Sequence, residues 1–217
     1  SGGLVTAADL AAYRAREVPP LRLRWGSHRL CTCPLTAGGL TVLQALTTLK
    51  ELGWERIPAG PNRAHAMADS LRLAWSDRLT LLGDPDQSKI PVERLLSSGY
   101  AREAAERVRM AVSAERPLEL LSKPREQGGT VTLAAADSRG NVVALTLTHG
   151  DGFGACVTVP GLGLTLGHGM SRFDPDPNHP NAPGPGKRPL HNMCPTVVIR
   201  GDGDGRAGGV HSKSAWR

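Results

Sequence analysis

Residues 128–148 read GGTVTLAAADSRGNVVALTLT, and this stretch decides the fold. Two β-rich runs, 131–137 and 142–148, flank Asp137-Ser138-Arg139-Gly140-Asn141, a composition that turns the chain back on itself. A hairpin is therefore expected to open directly after the Gly128-Gly129 pair. The segment before it, residues 112–129, holds Pro117, Pro124 and the two glycines among several charges, which is a loop composition.

Upstream of that loop the period is helical. Thr6-Ala7-Ala8-Asp9 has the form of a capping box and predicts a helix to about Arg16. LRLRWGSHRLCTC (21–33) predicts a hairpin turning near Gly26-Ser27. Leu40, Leu43, Leu46 and Leu49 recur every three residues and predict a helix after the Pro34–Gly39 turn. A long helix is expected from a cap at Asn62, carrying Ala66, Leu73 and Leu79, and ended by Gly83-Asp84-Pro85-Asp86. Short helices are expected over 91–96 and 102–111.

Downstream of the hairpin, 157–159, 164–166 and 196–200 read as further strands, while six prolines between 174 and 189 predict an irregular loop. Helices followed by a self-contained β segment, without βαβ alternation, indicate the α+β class.

The chain has 217 residues, enough for one substantial domain or part of a larger one. Neither an initiator Met nor a signal-like segment stands at residue 1, so the true start is expected upstream. No apolar run of about 18 residues predicts a membrane span. The net charge of +6 comes from scattered basic residues, and aromatics are only 4%, a pattern unlike a nucleic-acid face. Cys31, Cys33, Cys156 and Cys194 match no zinc or redox spacing and read as buried free thiols. Asp202 and Asp204 in GDGDG lack the rest of a calcium loop, and His149, His168 and His191 are too dispersed to suggest a metal by spacing. Asp84 and Asp86 read as turn-forming residues. No cofactor and no metal are expected.

Six blocks, in order, carry a resemblance to one family. They are GGLVTAADLAAY (2–13), LTAGGLTVLQAL (35–46), SDRLTLLGDPD with IPVERLLSSGYA (76–101), TVTLAAADSRGNVVALTLT (130–148), FGACVTVPGLGLTLGHGMSRF (153–173) and GKRPLHNMCPTVV (186–198). Together they resemble the gamma-glutamyltranspeptidases, nearly from end to end up to about Val198. The resemblance implies an N-terminal-nucleophile hydrolase fold, a four-layered αββα sandwich. Of this the chain would hold a part: the helical end of a large subunit over 1–129 and the first strands of a small subunit over 130–217.

The resemblance also implies self-cleavage between Gly129 and Thr130, with Thr130 as the nucleophile. The chemistry needs this residue type in this place. A threonine hydroxyl is a poor nucleophile until a base lies beside it, and a freed α-amine supplies one within the same residue. With a pKa of about 7.7–8.0 that amine exchanges protons near neutrality. Before the cut, the hydroxyl would attack the Gly129 carbonyl, and two glycines tolerate the distortion this demands. The plain alternative is a loop followed by an ordinary strand. Thr148 corresponds to a second threonine that hydrogen-bonds the nucleophile, or is simply a strand-favouring residue.

Departures from the family pattern fall on the substrate side. Residues Val131-Thr132 follow the nucleophile in place of Thr-His. Gly150, Gly169 and Arg172 occupy the positions of an Asn, a Gln and an Asp that grip the substrate ammonium, and Arg172 inverts the charge there. His191 and Asn192 replace paired serines that hold the carboxylate and oxyanion; both can donate hydrogen bonds, or the loop can close on its own backbone. Gly208-Gly209 would be the oxyanion-hole pair, arriving a few residues early and running into an unmatched tail, so either the strand is shortened or the chain ends in a fragment or frameshift.

The expected activity is an acyl transfer from a gamma-glutamyl-like or other carboxylated amide, through an acyl-enzyme on Thr130, to water or an amine. Two other readings stay open: a same-fold acylase acting on a different amide, and an inactive truncated product. The implied partners are a small-molecule amide and the two subunits of one precursor, with no nucleic acid. The compartment stays open, periplasmic and extracellular included.

Overall fold

The computed structural model describes residues 6–119 and 130–200, and the backbone of residues 210–211. Helix α1 (Ala7–Ala12) starts with the expected capping box: the Asp9 N–H donates to Thr6 Oγ1 at 3.2 Å and the Thr6 N–H to Asp9 Oδ2 at 2.8 Å. It ends at Ala12, not near Arg16, and Tyr13 is already extended. All six of its residues are exposed, so no packing offsets the cost of further turns.

Strands β1 (Leu21–Trp25) and β2 (His28–Thr32) pair antiparallel around Gly26-Ser27, as expected. Helix α2 (Gly39–Glu51) buries Leu40, Leu43 and Leu49, with Leu46 half-buried. Its first residue must be glycine, because a Cβ there would lie 2.1 Å from the Cys33 carbonyl oxygen. Helix α3 (Pro61–Leu81) begins at Pro61 after Gly60, which places Asn62 inside the helix and not at its cap. Proline suits the first helical position because its missing N–H would have no partner there. The buried face of α3 carries Ala66 and Leu73 but also Asp69, Ser70 and Arg78, while Leu79 faces outward. Helix α4 (Val92–Leu95) is short. Helix α5 (Ser98–Ser113) starts earlier than 102, because the Ser97 hydroxyl accepts the Tyr100 N–H at 3.1 Å and caps it through Gly99.

Helices α2, α3 and α5 pack on one another, and α2 also lies against β1. Two clusters make the core: Leu35, Leu40, Leu82, Leu95 and Leu190, and Ala66, Leu73, Ala104 and Val108. A polar knot ties the helices: Asp77 Oδ2 accepts from Gln44 Nε2 at 2.8 Å and from the Tyr100 hydroxyl at 2.5 Å.

Strands β3 (Thr130–Ala136) and β4 (Val142–Thr148) form the hairpin read from residues 128–148. The Asp137 carboxylate closes the turn, accepting the Arg139 and Asn141 N–H groups at 2.9 Å each and Asn141 Nδ2 at 2.7 Å. Val131, Leu133, Val143, Leu145 and Leu147 lie exposed on one face of this ribbon. Strands β5 (Thr158–Val159) and β6 (Leu164–Thr165) are a small hairpin of their own.

The β segment is not self-contained. Strand β7 (Thr196–Arg200) crosses to the helical half and pairs with β2, and β8 (Val210–His211) extends the sheet to the order β1-β2-β7-β8. Strand propensity marked β7 but carried no information on its partner. The α+β class holds, with one sheet drawn from both halves of the chain. Two turns lock that arrangement. Gly83 comes so close to the 174–189 loop that a Cβ would sit 2.2 Å from the Pro180 carbonyl oxygen. Asp84, beyond its expected Asx turn to the Asp86 N–H, clamps Arg188.

Candidate active site

The β3–β4 register sets Thr130 directly opposite Thr148. Both side chains therefore leave the same face of the ribbon at its open end, and the Thr130 hydroxyl donates to Thr148 Oγ1 at 2.9 Å. The Gly150 N–H reaches the same oxygen at 2.9 Å, so Thr148 receives two donors. Thr130 is exposed, at the first position of its strand. Gly129, Gly208 and Gly209 lie outside the described residues, as does the Gly2-Gly3 pair.

A short path of contacts leads from this pair to His191. Gly150 has φ +86, and a Cβ there would lie 3.6 Å from His168. The His168 N–H donates to the His149 carbonyl at 2.6 Å, which gives these two histidines a backbone role. Gly169 opens the 3₁₀ turn Gly169–Arg172, and a Cβ on it would meet Pro189 at 3.8 Å. Asn181, 4% exposed, ties this turn to the loop beyond: its Nδ2 donates to the Arg172 carbonyl at 2.6 Å, and its Oδ1 accepts the Leu190 N–H at 3.1 Å. Asn181 falls within the proline-rich loop, and nothing local in the sequence marks a residue whose partners lie nine positions away on each side.

His191 and Asn192 follow Leu190 and are pinned from two directions. The His191 N–H donates to the Thr36 carbonyl at 3.1 Å, and the Gly38 N–H donates to the Met193 carbonyl at 2.9 Å. From α3, Arg78 Nη2 donates to the His191 carbonyl at 2.8 Å and to Asn192 Oδ1 at 3.4 Å. The loop thus does engage backbone, but through its main chain, while the Asn192 side chain stays exposed. Arg78 was not picked out from the sequence. An arginine on a helix next to an aspartate reads as a surface residue, yet this one is 3% exposed.

The electrostatics are one-sided. Burial, then the guanidinium groups of Arg78, Arg172 and Arg188, push the His191 imidazole down to about 4, so the ring is neutral near pH 7. Burial, then Arg172, lowers Arg78 to about 10. Arg188 is answered by Asp84, whose carboxyl is held below the usual range by hydrogen bonds that outweigh its burial. Arg78 meets no carboxylate among the described residues, and its buried Nη1 has no hydrogen-bond partner, nor has His191 Nδ1. What the arrangement offers chemically is a hydroxyl pair at a strand end, and, at the far end of that path of contacts, a loop held in the positive field of Arg78, Arg172 and Arg188.

The cysteines differ from expectation. Cys31, Cys33 and Cys194 are partly buried and Cys156 is exposed, in a turn with φ 56, all four as free thiols. Cys194 Sγ lies 3.3 Å from Thr32 Oγ1, and burial raises the Cys33 thiol.

Comparison with known proteins places these features in a wider set. Residues 1–215 match the family described as gamma-glutamyltranspeptidase. The glutathione hydrolase proenzyme of Escherichia coli (strain K12) is 33% identical over 216 residues, covering 92% of this chain and 37% of that protein. The Acylase ACY 1 proenzyme of Pseudomonas sp. (strain SE83) is 33% identical over 205 residues, covering 92% and 36%. Among solved structures, a cephalosporin acylase from Bacillus halodurans superposes with a TM-score of 0.75 at 31% identity, covering 92% of this chain and 35% of that one. The chain thus spans little more than a third of the length of the relatives it matches.

Proposed function

Because the chain belongs to the gamma-glutamyltranspeptidase family and has its N-terminal-nucleophile hydrolase fold, we propose that the full-length protein is a threonine-nucleophile amidohydrolase and acyltransferase. The observation that carries this reading is the 2.9 Å hydrogen bond from Thr130 to Thr148 at the open end of the ribbon. In this reading the precursor cuts itself between Gly129 and Thr130, making residues 1–129 the end of one subunit and 130–217 the start of the other. The proenzyme relatives support a two-subunit product of one precursor.

Each group then has a task. The new α-amine of Thr130 takes the proton from its own hydroxyl as Oγ1 attacks the amide carbonyl of the acyl donor. The amine leaves with a proton returned to it, and the acyl-enzyme passes its acyl group to water or to a second amine. Thr148 orients Oγ1, with the Gly150 N–H holding Thr148 in turn. His191 and Asn192 receive the carboxylate of the donor. Gly208-Gly209 is the pair that would bind the oxyanion.

A second reading, an acylase whose donor is not a gamma-glutamyl amide, is favoured by one feature. Gly150, Gly169 and Arg172 stand where the family's ammonium-gripping residues are expected, and Arg172 adds a positive charge near Arg78 and His191. Hydrolysis of a gamma-glutamyl anilide against a glutaryl anilide separates the two readings. Intact mass of the full-length gene product tests both: a split between Gly129 and Thr130 that Thr130→Ala abolishes is expected, and an uncut wild type with unchanged behaviour in T130A rejects the nucleophile.

A further inference from the structure

We propose that Asn181 is a positioning residue for donor specificity: it holds the turn of Arg172 beside the His191 loop, so that Arg172 turns away acyl donors bearing an α-ammonium. This deepens the acylase reading given above and rests on it.

One side chain joins two stretches that lie nine residues away on either side. Asn181 Nδ2 donates to the Arg172 carbonyl at 2.6 Å, and its Oδ1 accepts the Leu190 N–H at 3.1 Å. A backbone carbonyl only accepts and a backbone N–H only donates, so the bracket needs one donor and one acceptor on a single short group. Asparagine supplies both, whereas aspartate lacks the donor and leucine lacks both. At 4% exposure the amide depends on these two partners to replace water. The main chain of Asn181 is held as well. Its carbonyl accepts the Asp174 N–H at 2.9 Å, and its N–H donates to His179 Nδ1 at 3.0 Å. His179 Nε2 in turn donates to the Leu79 carbonyl in the last turn of α3 at 2.8 Å.

The two ends of the bracket are unequal. Leu190, the residue before His191, is buried in the core with Leu35, Leu40, Leu82 and Leu95, so its N–H is a fixed point. The 3₁₀ turn Gly169–Arg172 buries none of its residues and has no core of its own to fix it. Asn181 therefore places the turn against Leu190, and not the reverse. That placement works against charge, because the Arg172 guanidinium is close enough to lower both Arg78 and His191. Like charges move apart unless something holds them, and here the hold is on the Arg172 main chain. A cation kept in such a place discriminates by repulsion. A donor whose α-carbon bears an ammonium meets the field of Arg172, and the same donor without it does not. Asn181 acts through Arg172 and does not touch the reacting atoms.

The test uses the full-length gene product and two donors that differ only in the ammonium, glutaryl p-nitroanilide and gamma-glutamyl p-nitroanilide. The quantity read is the ratio of their kcat/KM values. In the wild type the glutaryl donor is expected to lead by roughly tenfold or more, and Arg172→Gln to bring the ratio within about threefold of unity. Asn181→Leu is expected to lower the ratio roughly fivefold while the Gly129–Thr130 cut persists, and to change it by less than about twofold in the R172Q background. Equal losses for both donors in N181L, the mark of a merely structural residue, overturn the proposal, as does a ratio change that persists without Arg172. Should N181L not fold, Asn181→Asp takes its place in the same cycle, since it keeps the acceptor for Leu190 and lacks the donor for Arg172. The R172Q background then abolishes an effect that runs through Arg172 and leaves a direct effect of the new charge, which overturns the proposal. A wild-type ratio near one overturns the acylase reading and the proposal with it, whereas a tenfold ratio untouched by either variant overturns only the role of Asn181.

Discussion

Asp84 and Arg188 stand 104 residues apart and meet as a clamp: Asp84 accepts the Arg188 N–H at 2.9 Å, Nε at 3.0 Å and Nη2 at 2.5 Å. The carboxylate is 1% exposed and closes the turn after α3 onto the loop that leads to His191. Removing it strands a backbone donor and leaves Arg188 only the more exposed Asp86 as a counter-ion. Asp84→Ala is expected to destabilise the protein by on the order of 3–5 kcal/mol, and Asp84→Asn by less. Thermal melting checks this; a D84A melt that overlays the wild type would falsify the clamp.

Thr148 is expected to matter through one oxygen. Thr148→Val keeps the shape and removes the acceptor, and should slow both the cut at Thr130 and turnover by roughly 10–100-fold, the worth of one hydrogen bond to a reacting group. Thr148→Ser should restore most of the rate. Rates for the valine and serine variants that match each other would rule out a role for the hydroxyl.

His191 predicts a pH dependence of stability. Its folded value, about 4, lies below its ordinary value of 6.5, so the unfolded chain binds the extra proton between those limits. The contribution is fully present above about pH 6.5 and is lost as the pH falls toward 4. Discounted for partial exposure, roughly 2 kcal/mol is at stake. His191→Gln should flatten the melting-temperature profile between pH 4 and 7. Parallel profiles for the two proteins would refute the assignment.

Gly83 should accept no side chain. An alanine Cβ would stand 2.2 Å from the Pro180 carbonyl oxygen, and backbone cannot yield by that much without moving the loop. Gly83→Ala is expected to cost about 2 kcal/mol or more. Chemical denaturation measures it, and an unshifted midpoint would show that the loop gives way freely.

Local elements were legible because their signals are local. The Thr6–Asp9 box, the Gly26-Ser27 turn and the Asp137–Asn141 turn all bond within five residues, and each stands where the sequence places it. The Thr130–Thr148 pairing follows from the same hairpin register. Asn62 was misread because a good capping residue next to a proline looks like the cap, while the proline itself starts the helix. Partnerships across the chain were not legible. Arg78 with His191, Asp84 with Arg188, and β7 with β2 depend on tertiary contact, and neither propensity nor spacing encodes a partner a hundred residues away.

The crossing of β7 has a mechanical meaning for a protein cut before Thr130. The ladder of β3 begins at Thr130, so a break there costs the ribbon none of its pairing. The β2–β7 seam and the Asp84–Arg188 clamp both join residues from opposite sides of the break. Two polypeptides joined in this way share one sheet across the β2–β7 ladder. They separate only when that seam and the clamp are broken, so a nicked molecule would melt in one event, each half losing with its partner the sheet edge that covers it.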